Sequence, residues 1–128
     1  EAQWLMLQQD SPEDYCIATG IQYSVRDFVN LSWNTINKEI RWVGDGVEEK
    51  GYDVGTGDLI VAVDQRYYRP TEVETLLGDS TKAKKELGWQ PKIDLKQLIN
   101  EMMANDLNIA KRDSLIKENG FIAKDYHE

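Results

Sequence analysis

Apolar positions follow different rhythms along the chain. Tyr15-Cys16-Ile17-Ala18-Thr19 and Leu59-Ile60-Val61-Ala62-Val63 are continuous runs without polar alternation, the pattern of strands buried on both faces in a parallel sheet covered by helices. Ile40-Arg41-Trp42-Val43 alternates and predicts a further short strand. Helical spacing governs most of the rest. Val25, Phe28, Val29, Trp33 and Ile36 share one face behind a Ser24 N-cap and a first-turn Asp27, predicting a helix over 25–38. Leu95, Leu98, Ile99, Met102, Met103, Leu107 and Ala110 trace the stripe of a longer one, opened by a capping-box pair Asp94 and Gln97 and stapled by Ile93 against Leu98. Asn119-Gly120 marks its end. Between these, Asp79 caps a short helix carrying Ala83 and Leu87 and closed by Gly88. Glu1 to Gln9 reads as an opening helix with no capping residue ahead of it, and the start reads as a cut in a longer sequence.

This order of elements implies an α/β domain of a few short parallel strands with flanking helices. The leader between Ile40-Val43 and Leu59-Val63 holds Gly44, Gly46, Gly51, Gly55 and Gly57 in polar surroundings and reads as a loop or an irregular hairpin. It is a poor dinucleotide cradle, because Gly44-Asp45-Gly46 runs into Glu48-Glu49, which repel a pyrophosphate.

Composition narrows the function classes. At 128 residues, 41% apolar and 30% charged, the chain is one domain's length of ordinary globular protein. A formal charge of -8 disfavours nucleic acid and anionic lipid, which are bound through cationic side chains. A small anionic ligand held by a few convergent Arg groups stays open. Cys16 is the sole cysteine and His127 the sole histidine, so neither a disulfide nor a metal set is indicated, and a reducing cytoplasm fits. No apolar stretch reaches the length of a membrane span.

The second apolar run delivers Arg66, Tyr67, Tyr68 and Arg69 to its own C-terminal end, the edge where open α/β sheets bind ligands. Pro70 biases Arg69 towards an extended backbone and Glu72 follows close behind. A five-donor guanidinium suits a diphosphate and a carboxylate suits ribose hydroxyls. The competing possibility is a plain surface pair between Arg69 and Glu72.

The run Val63 to Asp79, which contains D-x-R-Y-Y-R-P-x-E-V, followed by Thr81-Lys82-Ala83 and Leu87-Gly88-Trp89-Gln90-Pro91-Lys92, resembles the C-terminal region of GDP-mannose 4,6-dehydratases. Glu1 to Gln9, Ala18-Thr19-Gly20, Tyr23 to Arg26 and Glu101 to Leu107 resemble that region in the same order. The shorter L-G-W-x-P element is shared with other extended short-chain dehydrogenases/reductases acting on nucleotide sugars.

The resemblance implies that residues 1–128 are the substrate-binding region of a Rossmann-type enzyme whose N-terminal, NADP-binding domain is missing from this chain. It implies that Arg69 contacts the diphosphate of GDP-mannose and Glu72 a ribose or neighbouring group. The intact lyase would oxidise the sugar at C4 with NADP, eliminate water across C5 and C6, and return the hydride to C6 on the way to GDP-fucose and other deoxyhexoses. Similar enzymes are dimers or tetramers. The catalytic Thr, Glu, Tyr and Lys of the family have no counterparts in these residues, so the chain alone is expected to be inactive. Alternatives are another nucleotide-sugar dehydratase, epimerase or reductase, or a non-catalytic binding or interaction module.

Overall fold

A computed structural model of the chain describes residues 1–69, 71 and 75–123. Four helices and a small sheet alternate in the order α1 (Ala2–Leu7), α2 (Val25–Asn34), β1 (Ile40–Val43), β2 (Lys50–Asp53), β3 (Leu59–Ala62), α3 (Thr81–Leu87) and α4 (Leu95–Glu118).

The helix ends follow their local chemistry. Ser24 accepts from the Asp27 amide while the Asp27 carboxylate accepts from the Ser24 amide, a complete capping box for α2. Asp94 and Gln97 form the same reciprocal pair for α4. Asp79 caps α3 from one residue ahead of its N-cap Ser80, taking the Thr81 amide at 2.9 Å. Gly88 ends α3 in the left-handed region. Helix α2 stops short of the predicted 38 because Asn37 turns left-handed and the Lys38 amide donates back to the Trp33 carbonyl at 3.2 Å, a Schellman-type closure.

The strands run antiparallel, in the order β1-β2-β3, which corrects the parallel sheet expected from the apolar runs. The physical reason is connection length. Residues 44–49 and 54–58 are hairpin links, whereas parallel neighbours need a crossover of roughly a dozen residues or more. Among the described residues β3 has one neighbour and is an edge strand, with Leu59 half exposed, so its apolar run does not report burial on both faces. The predicted strand Tyr15–Thr19 is also corrected. It is irregular backbone with no strand partner among the described residues, and Cys16 is exposed rather than buried.

That segment is nonetheless anchored. Lys82 donates to the Glu13 carboxylate at 3.0 Å and the Asp14 carbonyl at 3.1 Å, and the Tyr15 hydroxyl donates to Glu86 at 3.1 Å. Gly78 lets the backbone pass closely, since a β-carbon there would sit 2.6 Å from that of Ala18. α1 packs on α3, and α2 on α4. The sheet joins α2 through indole donors: Trp42 Nε1 to Asn30 Oδ1 at 2.9 Å and Trp33 Nε1 to Asp53 Oδ2 at 3.0 Å.

Buried apolar side chains among the described residues are few, namely Ala83, Leu87 and Ile99. The accessible surface is 10648 Å², where a compact protein of 14.7 kDa exposes roughly 7,000 Å². Trp4, Leu7, Ile17, Ile21 and Tyr23 are among the exposed apolar groups. Surface of this kind drives association, so the chain in isolation is expected to show a mass in light scattering that rises with concentration; a constant monomer mass would contradict this.

Candidate functional site

The end of β3 opens onto a tight turn built by one residue. Asp64 Oδ1 accepts from the Arg66 amide at 2.9 Å, and the Tyr67 amide closes on the Asp64 carbonyl at 3.0 Å. The Asp64 carboxylate also takes the Arg66 side chain, with Nη2 2.6 Å from Oδ2 and Nε 3.2 Å from each oxygen. The guanidinium and the amide of Arg66 hold the Asp64 carboxyl below the usual carboxylate range, and Asp64 raises Arg66 in turn. Arg66 lies 5.4 Å over the Tyr67 ring.

Tyr68 reaches the other way, towards the β1–β2 link, where its hydroxyl lies 3.7 Å from the place a β-carbon on Gly46 would occupy. That link is a compact 3-10 turn, Gly46–Glu48, entered through Gly44. Gly44 has φ +85, and any β-carbon there would meet the Glu48 carbonyl oxygen at 2.4 Å, so only glycine serves. Glu49 at its end pairs with Arg26, whose guanidinium lies 5.5 Å over Trp42. Two of the acidic groups near the turn are therefore already matched: Glu49 by Arg26 and Asp64 by Arg66.

Arg69 is exposed two residues past this turn. Glu72, its predicted partner at a ligand, lies outside the described residues, as do Pro70 and His127. Two concavities lie elsewhere. One, of about 350 Å³, runs between Thr19, Ile21 and Tyr23 and the start of α4 at Ile93, Leu95 and Leu98. The other, of about 290 Å³, surrounds Lys38 and Asp53.

Asp53 was not singled out by sequence and is the most heavily bonded side chain of the sheet. It is 2% exposed and accepts from Trp33 Nε1, Lys38 Nζ and the Gly55 and Thr56 amides, at 2.9 to 3.0 Å. Lys38, Trp33 and the Thr56 amide keep its carboxyl strongly ionised, far below the usual range. All of its acceptor directions are used inside the fold, so it is a structural hub and not a ligand group. The signal available in sequence was Asp53 placed two and three residues before Gly55 and Thr56, the spacing of an Asx turn.

No group of three or more His, Cys, Asp or Glu side chains is placed to hold a metal among the described residues. No described helix is long and apolar enough to cross a membrane.

Residues 1–102 match the family described as GDP-mannose 4,6 dehydratase. A GDP-mannose 4,6-dehydratase of Vibrio cholerae serotype O1 is 52% identical over 129 residues, covering 93% of this chain and 35% of that protein. A GDP-mannose 4,6 dehydratase 2 of Caenorhabditis elegans is 50% identical over 115 residues, 90% of this chain and 30% of that protein. A human GDP-mannose 4,6 dehydratase is 49% identical over 111 residues, 87% of this chain and 30% of that protein. The chain spans about a third of the length of the curated relatives it matches.

Proposed function

Since the chain belongs to the GDP-mannose 4,6-dehydratase family, we propose that it forms the nucleotide-sugar side of an enzyme that converts GDP-mannose to GDP-4-keto-6-deoxymannose. The observation that supports the reading is the turn after β3, which leaves Arg69 exposed two residues further on, while Asp64 pairs with Arg66 and Glu49 with Arg26. Glu72 takes the ribose hydroxyls in this reading, on sequence grounds alone.

The work of these residues is binding and orientation. Gripping the nucleotide diphosphate, remote from the reacting sugar carbons, supplies binding energy that fixes the hexose for reaction without touching it. NADP, which would accept and return the hydride, finds no fit among the described residues. The glycines of 44–57 lie in an antiparallel hairpin rather than a strand-to-helix turn, and Glu48 and Glu49 border them. The reading assigns NADP and the catalytic groups to part of the relatives' length that this chain does not cover, so the chain binds without turning over. A dimer or tetramer in the cytoplasm belongs to the same proposal.

Separate calorimetric titrations of GDP-mannose, UDP-glucose and dTDP-glucose into the protein test the assignment. GDP-mannose is expected to bind at least about tenfold more tightly than dTDP-glucose, which lacks the 2′-hydroxyl that Glu72 takes in this reading. Equal affinities would point to another nucleotide-sugar enzyme, and binding of none to a non-catalytic module.

A further inference from the structure

The turn after β3 is more tightly organised than its exposure demands. Asp64 closes it twice, through its carbonyl to the Tyr67 amide and through Oδ1 to the Arg66 amide. Its two carboxylate oxygens also engage Nε and Nη2 of Arg66, in a pair whose side chains are 78% and 43% exposed for Arg66 and Asp64 respectively. A pair this open contributes little to global stability. What it does contribute is direction, because an Asx turn sets the path of the residues that follow.

Arg66 is consumed by the arrangement. The nitrogen edge that would fork onto a phosphate is turned onto Asp64, and the guanidinium lies over the Tyr67 ring. Tyr68 then faces Gly46. Arg69 is the next residue, and its backbone origin is set by the turn behind it.

We propose that Asp64 is a positioning residue for the anion site at Arg69. Its function is to fix, through the Arg66 amide, where Arg69 leaves the strand end. This rests on the assignment of Arg69 made above. Asp64 acts through the backbone, and does not touch the ligand.

The test uses the chain with GDP as the probe, in calorimetry paired with amide hydrogen exchange at Arg66. Asp64→Ala removes both acceptors and is expected to weaken GDP binding about tenfold and to deprotect the Arg66 amide. Asp64→Asn keeps an oxygen for that amide, so it is expected to restore protection and to bring affinity back to within about threefold of the unaltered chain. Arg66→Ala leaves the amide bond to Asp64 in place and is expected to stay within about threefold as well, which keeps the proposal testable if Asp64→Ala does not fold. Unfolding midpoints of the same variants separate positioning from instability: Asp64→Ala is expected to lose GDP affinity while its midpoint falls by no more than about a few degrees, and an affinity loss that merely tracks unfolding would overturn the positioning role. GDP affinity unchanged in Asp64→Ala, or a loss in Arg66→Ala as large as that in Arg69→Ala, would overturn the positioning role alone. An unaltered chain that does not bind GDP would overturn the Arg69 assignment and this proposal with it.

Discussion

Arg69→Ala is expected to weaken GDP-mannose binding about ten- to a hundredfold, the range for losing a hydrogen bond to a charged group. The loss should appear equally with GDP alone, because the diphosphate and not the hexose is the partner. Arg69→Lys should recover only part of it, since an ammonium restores the charge but not the planar fork that matches two phosphate oxygens. Calorimetry at two salt concentrations checks the origin: the difference between Arg and Ala should shrink as salt rises. Unchanged affinity in Arg69→Ala would reject the assignment.

Asp53→Ala is expected to cause the largest loss of stability, lowering the unfolding midpoint by roughly 10 °C. It strands an indole, an ammonium and two backbone amides that now converge on one carboxylate. Asn is a poor replacement, because its amide group would face Trp33 Nε1 and Lys38 Nζ as a donor against donors. Differential scanning calorimetry gives the midpoint directly, and a change of a degree or two would show that the hub is not needed.

The same carboxylate sets the sign of an acid effect. Asp53 is depressed in the folded chain by Lys38, Trp33 and Thr56, so its contribution is complete above the ordinary aspartate range near pH 4 and is lost as the pH falls below it. Asp27 and Asp79, each depressed chiefly by the hydroxyl of its cap partner, Ser24 or Thr81, act in the same direction.

Features governed by near neighbours in sequence were legible before the structure. The Asp94–Gln97 capping box, the Ser24 N-cap, the Gly88 stop, the Asp79 cap and the strand at Ile40 to Val43 depend on groups a few residues apart, and each is present. Features governed by distant partners were not. Strand direction depends on what lies beside a strand, and a continuous apolar run such as Leu59 to Val63 reads the same whether it is central and parallel or, as here, an antiparallel edge. Tyr15 to Thr19 has strand composition, but a ladder needs a second strand and none of the described residues supplies one. Helix α2 ends before its apolar face does, because Ile36 continues that face while Asn37, able to adopt a positive φ, closes the helix.

At the site, sequence singled out Arg69 and passed over Asp64. The sequence signal was there in Asp64 and Arg66 two apart after a strand, a spacing that serves an Asx turn. What hid it was reading Arg66 by its charge rather than by its amide. The groove between Ile21 and Tyr23 and the start of α4 was equally invisible, since the residues that line it lie some seventy positions apart in the chain and meet only on folding.

Amide NMR of the isotopically labelled chain titrated with GDP-mannose is the most direct measurement of where the nucleotide sugar goes. The expected result is saturable shifts at Arg66 to Arg69 and along the 44–49 link, with little change around Ile93 to Leu98. Shifts confined to the groove at Ile21, Tyr23 and Ile93 to Leu98, with Arg66 to Arg69 unmoved, would contradict the account.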